Sequence, residues 1–319
     1  MTSLVRGVCC ILSSTPSRKS NNQIKVSSKV MALRKAQRKQ AKIRLGFASP
    51  SGGGKTYSAL LIAKGLVGSW DKVAIIDTEN FSADLYANLG DFNVLSITAP
   101  YNPQKYIDAI KECEDAGMEC IIIDSITHEW SGVGGCLEMQ QIATDKQRVK
   151  NSYTAWKEIT PLHQKFVDAI LQSKCHIITT VRSKTDYLQT DIDGKKSIQK
   201  VGMAQVTRDG FEYELTISLE LDVNHRAIVS KDRTNLFEGL PAFIPSEDTG
   251  RKIKEWCENG LDIKGECLKA IEECKTTNDV NALADKYKSL KVVDATSGKE
   301  VFPEDIRKAM RAKFDELSK

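Results

Sequence analysis

Ser49-Pro50-Ser51-Gly52-Gly53-Gly54-Lys55-Thr56 is the segment whose residue types most plainly carry chemistry. Glycines here let backbone N–H groups turn inward and approach anionic oxygens with no Cβ in the way. A helical pattern begins at Lys55, so a helix N-terminus adds positive partial charge at the same point. Lys55 is suited to neutralising β/γ-phosphate charge, and Thr56 to ligating Mg2+. The run matches G-x-x-x-x-G-K-S/T except at its first position, where Ser49 stands for glycine. Serine disfavours positive φ, so an altered start of the loop is expected. Pro50 occupies the place where one variant of this loop carries a second lysine. The expected ligands are ATP and Mg2+, with Ser51, Gly52, Gly53, Gly54, Lys55, Thr56 and Tyr57 around the nucleotide.

Two apolar runs end in acids. Cys120-Ile121-Ile122-Ile123-Asp124 has the Walker B form, in which a carboxylate at the end of a strand holds Mg2+ beside the phosphate loop. Val73-Ala74-Ile75-Ile76-Asp77-Thr78-Glu79 is the second such run, and Glu129 follows the first closely. The metal-site candidates are therefore Thr56 and Asp124.

These residues need a sheet to align them. Strands are expected over Ile43–Phe47, Val73–Asp77, Val94–Ile97, Cys120–Asp124 and His176–Val181, with helices over Lys55–Leu66, Pro103–Ala116 and Tyr153–Gln172. Such alternation predicts a parallel sheet covered on both faces. Beyond Val181, Asp191–Lys196 reads as a hairpin tip, and Tyr213–Leu221 and Arg226–Ser230 as antiparallel strands extending the sheet. A helix near Asp248–Glu258 closes this part. The charged remainder predicts helices over Ile263–Lys275, Asp279–Lys288 and Pro303–Leu317, capped at Thr277 or Asn278 and begun at Pro303. The expected organisation is a basic arm (1–40), an α/β domain (41–260) and a small helical C-terminal domain (261–319).

Composition narrows the classes. With 41% hydrophobic and 28% charged residues, the 319-residue chain reads as an ordinary globular protein, and no apolar run nears the ~18 residues of a membrane span. The formal charge of +4 is uneven. No acidic residue precedes Asp71, and beyond it the acids outnumber the bases, so overall pI is no argument for DNA binding. Nine cysteines without paired spacing, and four histidines with no ligand spacing to them, favour a reduced cytoplasmic interior over a zinc site. Met31 is a candidate start within the Ser-rich, basic beginning of the chain.

Ile76-Asp77-Thr78-Glu79-Asn80-Phe81, continuing to Asp84-Leu85-Tyr86, resembles the corresponding segment of RecA-type recombinases. The resemblance implies a RecA-like P-loop NTPase core, with a mostly parallel sheet and C-terminal antiparallel strands. By position it makes Glu79 the base that activates water, with Glu129 as the rival and a solvated loop acid as the plain alternative. It places a γ-phosphate sensor at Thr180 or Arg182. It also aligns Lys231 and Arg233 with two lysines that reach a neighbouring subunit's ATP, against the alternative of a surface ion pair with Asp232.

More widely, 42–260 resembles ATPases encoded by bacteriophages and prophages. The matching stretches include Asp124–Trp130, Gly134-Gly135, Arg182–Tyr187, Arg208–Tyr213 and Lys231–Phe237. That resemblance implies a homo-oligomer acting on single-stranded DNA in the host cytosol. Lys146, Arg148, Lys150, Lys184, Lys195, Lys196, Lys200 and Arg208 would meet phosphates, and Tyr153 and Tyr187 would stack on bases. Interspersed Asp145, Asp186, Asp191 and Asp193 leave a solvated hairpin as the other reading. A different class also stands open: a nucleotide switch that recruits a protein partner through its helical tail.

Overall fold

Val73–Asp77 and Cys120–Asp124 are buried at every position, as strands covered on both faces must be, and both become interior parallel strands. The computed structural model describes residues 40–147, 151–192, 195–260, 263–293 and 299–318, with the backbone alone along 185–203 and at 263, 289 and 292–293. They fall in the compact unit Arg38–Lys319. The basic arm up to Lys39, including Met31, lies outside the described residues, as do Arg148 and Lys150.

The first half runs β1 (Arg44–Ser49), α1 (Lys55–Val67), β2 (Val73–Asp77), β3 (Asn93–Ser96), α2 (Pro103–Asp115), β4 (Cys120–Asp124), α3 (Thr127–Ser131), α4 (Cys136–Asp145) and α5 (Ser152–Gln172). Next come β5 (His176–Ile192), β6 (Lys195–Gln205), α6 (Phe211–Glu214), β7 (Ile217–Leu221), β8 (Ala227–Asp232) and α7 (Glu247–Glu258). The tail is α8 (Ile263–Glu272), α9 (Thr277–Lys286), β9 (Val292–Val293), β10 (Glu300–Val301) and α10 (Glu304–Leu317).

The main sheet has the order β3-β2-β4-β5-β1-β7-β8, with β6 paired to the outer part of β5. It is mostly parallel; β8 runs antiparallel to β7, and β6 to β5. Two features depart from expectation. β7 runs parallel to β1, and Tyr213 lies in α6 ahead of the strand. β5 continues well past Val181 into the hairpin. Register then gathers the ends of β1, β2 and β4 around the middle of β5: Asp77 pairs with Asp124, and Ser49 with Arg182.

Each face of the sheet has its own apolar layer. Leu45, Phe47, Ile75, Ile122 and Leu219 pack with Leu60, Ile62 and Ile253 of α1 and α7. On the other face Ile76, Ile121, Ile123 and Ile177 pack with Tyr106, Ile110, Phe166 and Ile170 of α2 and α5. Each such side chain contributes about 1.5–3 kcal/mol on burial. α1 and α7 meet backbone to backbone. A Cβ added to Gly65 would lie 2.1 Å from the Glu247 carbonyl oxygen, and one on Gly250 2.3 Å from that of Ile62. Arg44, buried in β1, donates to the carbonyls of Cys175, Leu171 and Ser173, anchoring the C-terminal end of α5 to the sheet.

In the tail, Cys267, Ile271, Tyr287, Phe302 and Ile306 form a separate apolar cluster. Thr276 caps α9, one residue ahead of expectation, because its hydroxyl accepts from Asp279 N while the Asp279 carboxylate accepts from Thr276 N. Pro303 likewise stands at the N-cap and not in the first turn of α10. Among the described residues the seven cysteines are buried thiols. Among the described residues no helix is long and apolar enough to cross a membrane.

One buried histidine ties β1 to β5. Ile43 N donates to His176 Nδ1 at 3.2 Å, and burial, helped by Lys42, Arg44 and Lys254, pushes the imidazole pKa down to about 3. His176 is therefore neutral when folded and titrates near 6.5 when unfolded. Its contribution is intact above pH ~6.5 and is lost as pH falls toward 3, by up to about 1.4 kcal/mol per unit. Thermal unfolding of His176→Gln, whose amide oxygen can still accept from Ile43, should show a shallower fall in Tm from about pH 7 to 4.5 than the parent. Equal slopes would contradict this.

Candidate functional site

The phosphate loop takes its shape from two glycines. Gly52 has φ +81° and Gly54 φ +82°, both left-handed, while Ser49 is the last residue of β1 and is not left-handed. The serine therefore meets no φ penalty, and the expected disturbance at the start of the loop does not occur. Gly53 fits against Ser49, where a Cβ would sit 2.3 Å from the hydroxyl oxygen, and its N–H donates to Pro50 O at 3.3 Å. Lys55 Nζ reaches back to the carbonyls of Ser49 (3.2 Å) and Pro50 (3.1 Å). Burial lowers its pKa, while Asp124 and Glu79 act in the opposite sense.

Asp124 is 3% exposed. Thr56 Oγ1 donates to its Oδ2 at 2.5 Å, and Thr180 Oγ1 donates to Oδ1. Burial raises the Asp124 pKa; the two hydroxyl hydrogen bonds oppose that shift. Thr180 reaches Asp124 because β5 lies between β4 and β1.

Glu79 is presented by a turn that Asp77 holds. The Asp77 carboxylate accepts from Glu79 N (2.6 Å) and Ala83 N (3.0 Å), so this second strand-end acid organises backbone. The Glu79 carboxylate is clamped bidentately by Arg182, Nε to Oε1 at 2.9 Å and a terminal nitrogen to Oε2 at 2.7 Å, and Ser125 Oγ adds 3.1 Å to Oε1. Burial works to raise its pKa, but Arg182 and Ser125 outweigh it and the net shift is downward. The Arg182 pKa is raised by the same pair. Beside it, Thr78 Oγ1 and His128 Nδ1 lie 2.9 Å apart, and Tyr101 stacks on the His128 ring at 5.0 Å. Burial, then Arg182, lowers the His128 pKa.

Ser51, Gly52, Gly54, Lys55, Thr56, Tyr57, Glu79, Asp124 and Arg182 all line one cavity of about 830 Å³. Its far wall adds residues that sequence reasoning missed: Leu85 and Tyr86 from the segment after β2, His225 from the β7–β8 turn, and Ile244-Pro245 before α7. Tyr57 and Tyr86 have ring centroids 6.2 Å apart. The tyrosines, leucine and isoleucine offer a planar base apolar surface, while the loop, Lys55 and Arg182 offer positive charge at the other end. Asp84-Leu85-Tyr86 was the available signal for that wall; nothing local marked His225.

Other expected residues lie elsewhere. Glu129 is fully buried and does not line the cavity. His163 Nδ1 lies 3.1 Å from both of its oxygens and Cys136 Sγ donates at 3.1 Å, so protein partners satisfy it and the rival base is displaced. The three are close enough to hold a metal geometrically, a convergence that sequence spacing did not reveal. Burial raises the Cys136 pKa, which opposes the thiolate a metal needs. Lys231 donates to the carbonyls of Glu212 and Tyr213, and Arg233 to that of Tyr213 at 2.9 Å. The Asp232 carboxylate accepts from the N–H groups of Thr234 and Phe237. Neither Lys231 nor Arg233 lines the cavity of its own chain. Lys146, Lys184 and Tyr153 are exposed; the side chains of Tyr187, Lys195, Lys196 and Lys200 lie outside the description.

The family model described as an AAA domain matches residues 41–242, more than half of the chain. No curated protein matches it.

A Cβ on Gly54 would meet His225 Nδ1 at 2.8 Å at a left-handed φ, whereas Gly68, φ +78° at the exposed end of α1, has nothing within 4 Å. Gly54→Ala should weaken binding of a fluorescent ATP analogue more than tenfold. Gly68→Ala should cost about 1 kcal/mol of stability and leave binding unchanged. Equal affinities in both variants would contradict the role given to the loop.

Proposed function

The chain belongs to the AAA-domain family of P-loop ATPases, and from that premise we propose that it binds and hydrolyses Mg-ATP, with single-stranded DNA as activator in phage recombination or replication. The observation that carries the hydrolytic part is the convergence of Lys55, Thr56, Glu79, Asp124 and Arg182 on one cavity. The residues fit a hard divalent cation, since the Thr56 hydroxyl and Asp124 carboxylate meet at 2.5 Å and the acid is buried with hydroxyl partners alone. Bound with the nucleotide there, Mg2+ would neutralise charge on the β- and γ-phosphate oxygens.

Lys55 exchanges the Ser49 and Pro50 carbonyls for phosphate oxygens, and the loop N–H groups cradle the rest. Glu79 takes a proton from water as that water's oxygen bonds to the γ-phosphorus. The bond from the γ-phosphorus to its bridging oxygen breaks, giving ADP and phosphate. The lowered pKa keeps Glu79 ionised at neutral pH, but Arg182 occupies both carboxylate oxygens. This arrangement therefore reads as a resting state. Release of Arg182 frees the base and gives the γ-phosphate a cation, so one movement arms both.

The DNA reading draws on the resemblance of the sequence and on exposed Lys146 and Lys184 after β4 and along β5. In a ring or filament, Lys231 and Arg233 would serve the ATP of a neighbouring copy, and their position away from their own cavity favours that. The second reading, a switch recruiting a protein partner through 261–319 without DNA affinity, draws on the separate apolar cluster of the tail.

Steady-state ATP hydrolysis, with and without single-stranded DNA, tests these readings. DNA should stimulate the parent. Lys55→Ala should abolish turnover, and Glu79→Gln should keep ATP binding while losing about 10²–10⁴ in rate. Unimpaired hydrolysis by Glu79→Gln would remove Glu79 from the mechanism. A slow rate indifferent to DNA, with partner capture lost on deletion of 261–319, would favour the switch.

A further inference from the structure

A second concave surface lies apart from the nucleotide cavity. Trp130, Tyr153, Trp156, Lys157, Pro161 and Arg208 line a groove of about 510 Å³. Three elements that are remote in sequence build it: α3, the first turns of α5, and the loop after β6. On α5, Tyr153, Trp156, Lys157 and Thr160 recur at helical spacing and share one face. Asn151 caps that helix, accepting from Tyr153 N and Thr154 N, and so fixes the first turn.

The chemistry of the groove is specific. The Trp130 and Trp156 rings stack at 5.4 Å and 14°, and the Arg208 guanidinium lies 5.9 Å from the Trp156 ring. Trp130 is braced from behind by the edge of His163, itself held by buried Glu129. Tyr153 is 78% exposed, a large aromatic surface with little of the protein covering it. Lys157 and Arg208 supply positive charge, and no carboxylate lines the groove among the described residues. Aromatic faces beside two cations suit a planar, uncharged ring attached to an anion. A neutral proline-rich peptide would use the rings but leave both cations unanswered.

Both walls connect to the nucleotide site through one backbone unit. Arg182 N donates to Thr127 Oγ1 at 2.9 Å, three residues before Trp130, and Val206 N donates to Arg182 O at 2.8 Å, two residues before Arg208. Arg182 is the residue whose side chain clamps Glu79. We propose that the Trp130–Trp156–Arg208 groove is a base-stacking site for single-stranded nucleic acid, and that its occupation acts on Arg182 through α3 and the β6 loop. This rests on the proposed role of single-stranded DNA as activator and adds the surface that senses it.

Fluorescence anisotropy of a labelled oligothymidylate of about 15 nucleotides, with the full chain at low salt, tests the proposal. Trp156→Ala and the double variant Lys157→Ala/Arg208→Ala should each weaken binding about tenfold or more, while Trp156→Phe retains most of it. An abasic oligonucleotide should bind the parent much more weakly than oligothymidylate, which charge alone would not produce. In the same variants, affinity for a fluorescent ATP analogue should be unchanged, showing an intact fold, and DNA-stimulated turnover should fall toward the basal rate. Parent-like oligothymidylate binding by both groove variants would overturn the groove while leaving a DNA-activated ATPase standing. Capture of a proline-rich peptide, with no oligonucleotide binding and no stimulation of the parent, would overturn both.

Discussion

A carboxylate almost cut off from water stands at the end of β4, and the arrangement around it depends on keeping it there. Removing an ionised acid from water costs several kcal/mol unless partners replace the lost hydration. For Asp124 those partners are the hydroxyls of Thr56 and Thr180, with the Lys55 ammonium close enough to act on it. Thr56 is in the first turn of α1, whereas Thr180 belongs to β5, which must lie beside β4 to reach it. The order of the sheet and the environment of the acid are therefore one constraint. The charge also explains why so buried a place would attract a divalent cation together with a nucleotide.

Around that centre the second acid is handled differently. Glu79 is partly exposed and held as an ion by Arg182, so its availability is a matter of geometry more than of protonation. Arg182 joins three places: its side chain holds Glu79, its N–H is bound to Thr127, and its carbonyl receives Val206. The short helix α3 gathers a similar set, with Thr127 bound to Arg182 N, His128 beside Thr78, Glu129 in the buried polar group, and Trp130 in the aromatic groove. Such a segment gives a physical route between the two concave surfaces.

What the sequence disclosed follows from how local each signal is. The phosphate loop is legible because its glycines, lysine and threonine are contiguous and their roles rest on backbone geometry. Asp77 and Asp124 are legible as strand-end acids, but not as different in kind: only the fold shows that Asp77 ties up the turn before Ala83. The Glu79–Arg182 clamp bridges 103 positions, and the contact exists because the parallel register sets the middle of β5 beside the end of β4 and, next to it, of β2. Helices α3 and α4 were missed because Gly132, Gly134 and Gly135 interrupt the pattern between them. The direction of β7 depended on α6, a one-turn helix too short to leave a periodic trace. The stacked tryptophans come from separate elements and had no sequence signature as a pair.

The most direct measurement is a crystal structure of the full chain with ADP, Mg2+ and aluminium fluoride, which mimics the phosphoryl group in flight. The fluoride should lie at the Lys55–Thr56 end of the 830 Å³ cavity, with Glu79 released from Arg182 and its carboxylate on the water in line for attack. Nucleotide bound outside that cavity, or an attacking water held by another residue while Glu79 stays clamped, would contradict this arrangement.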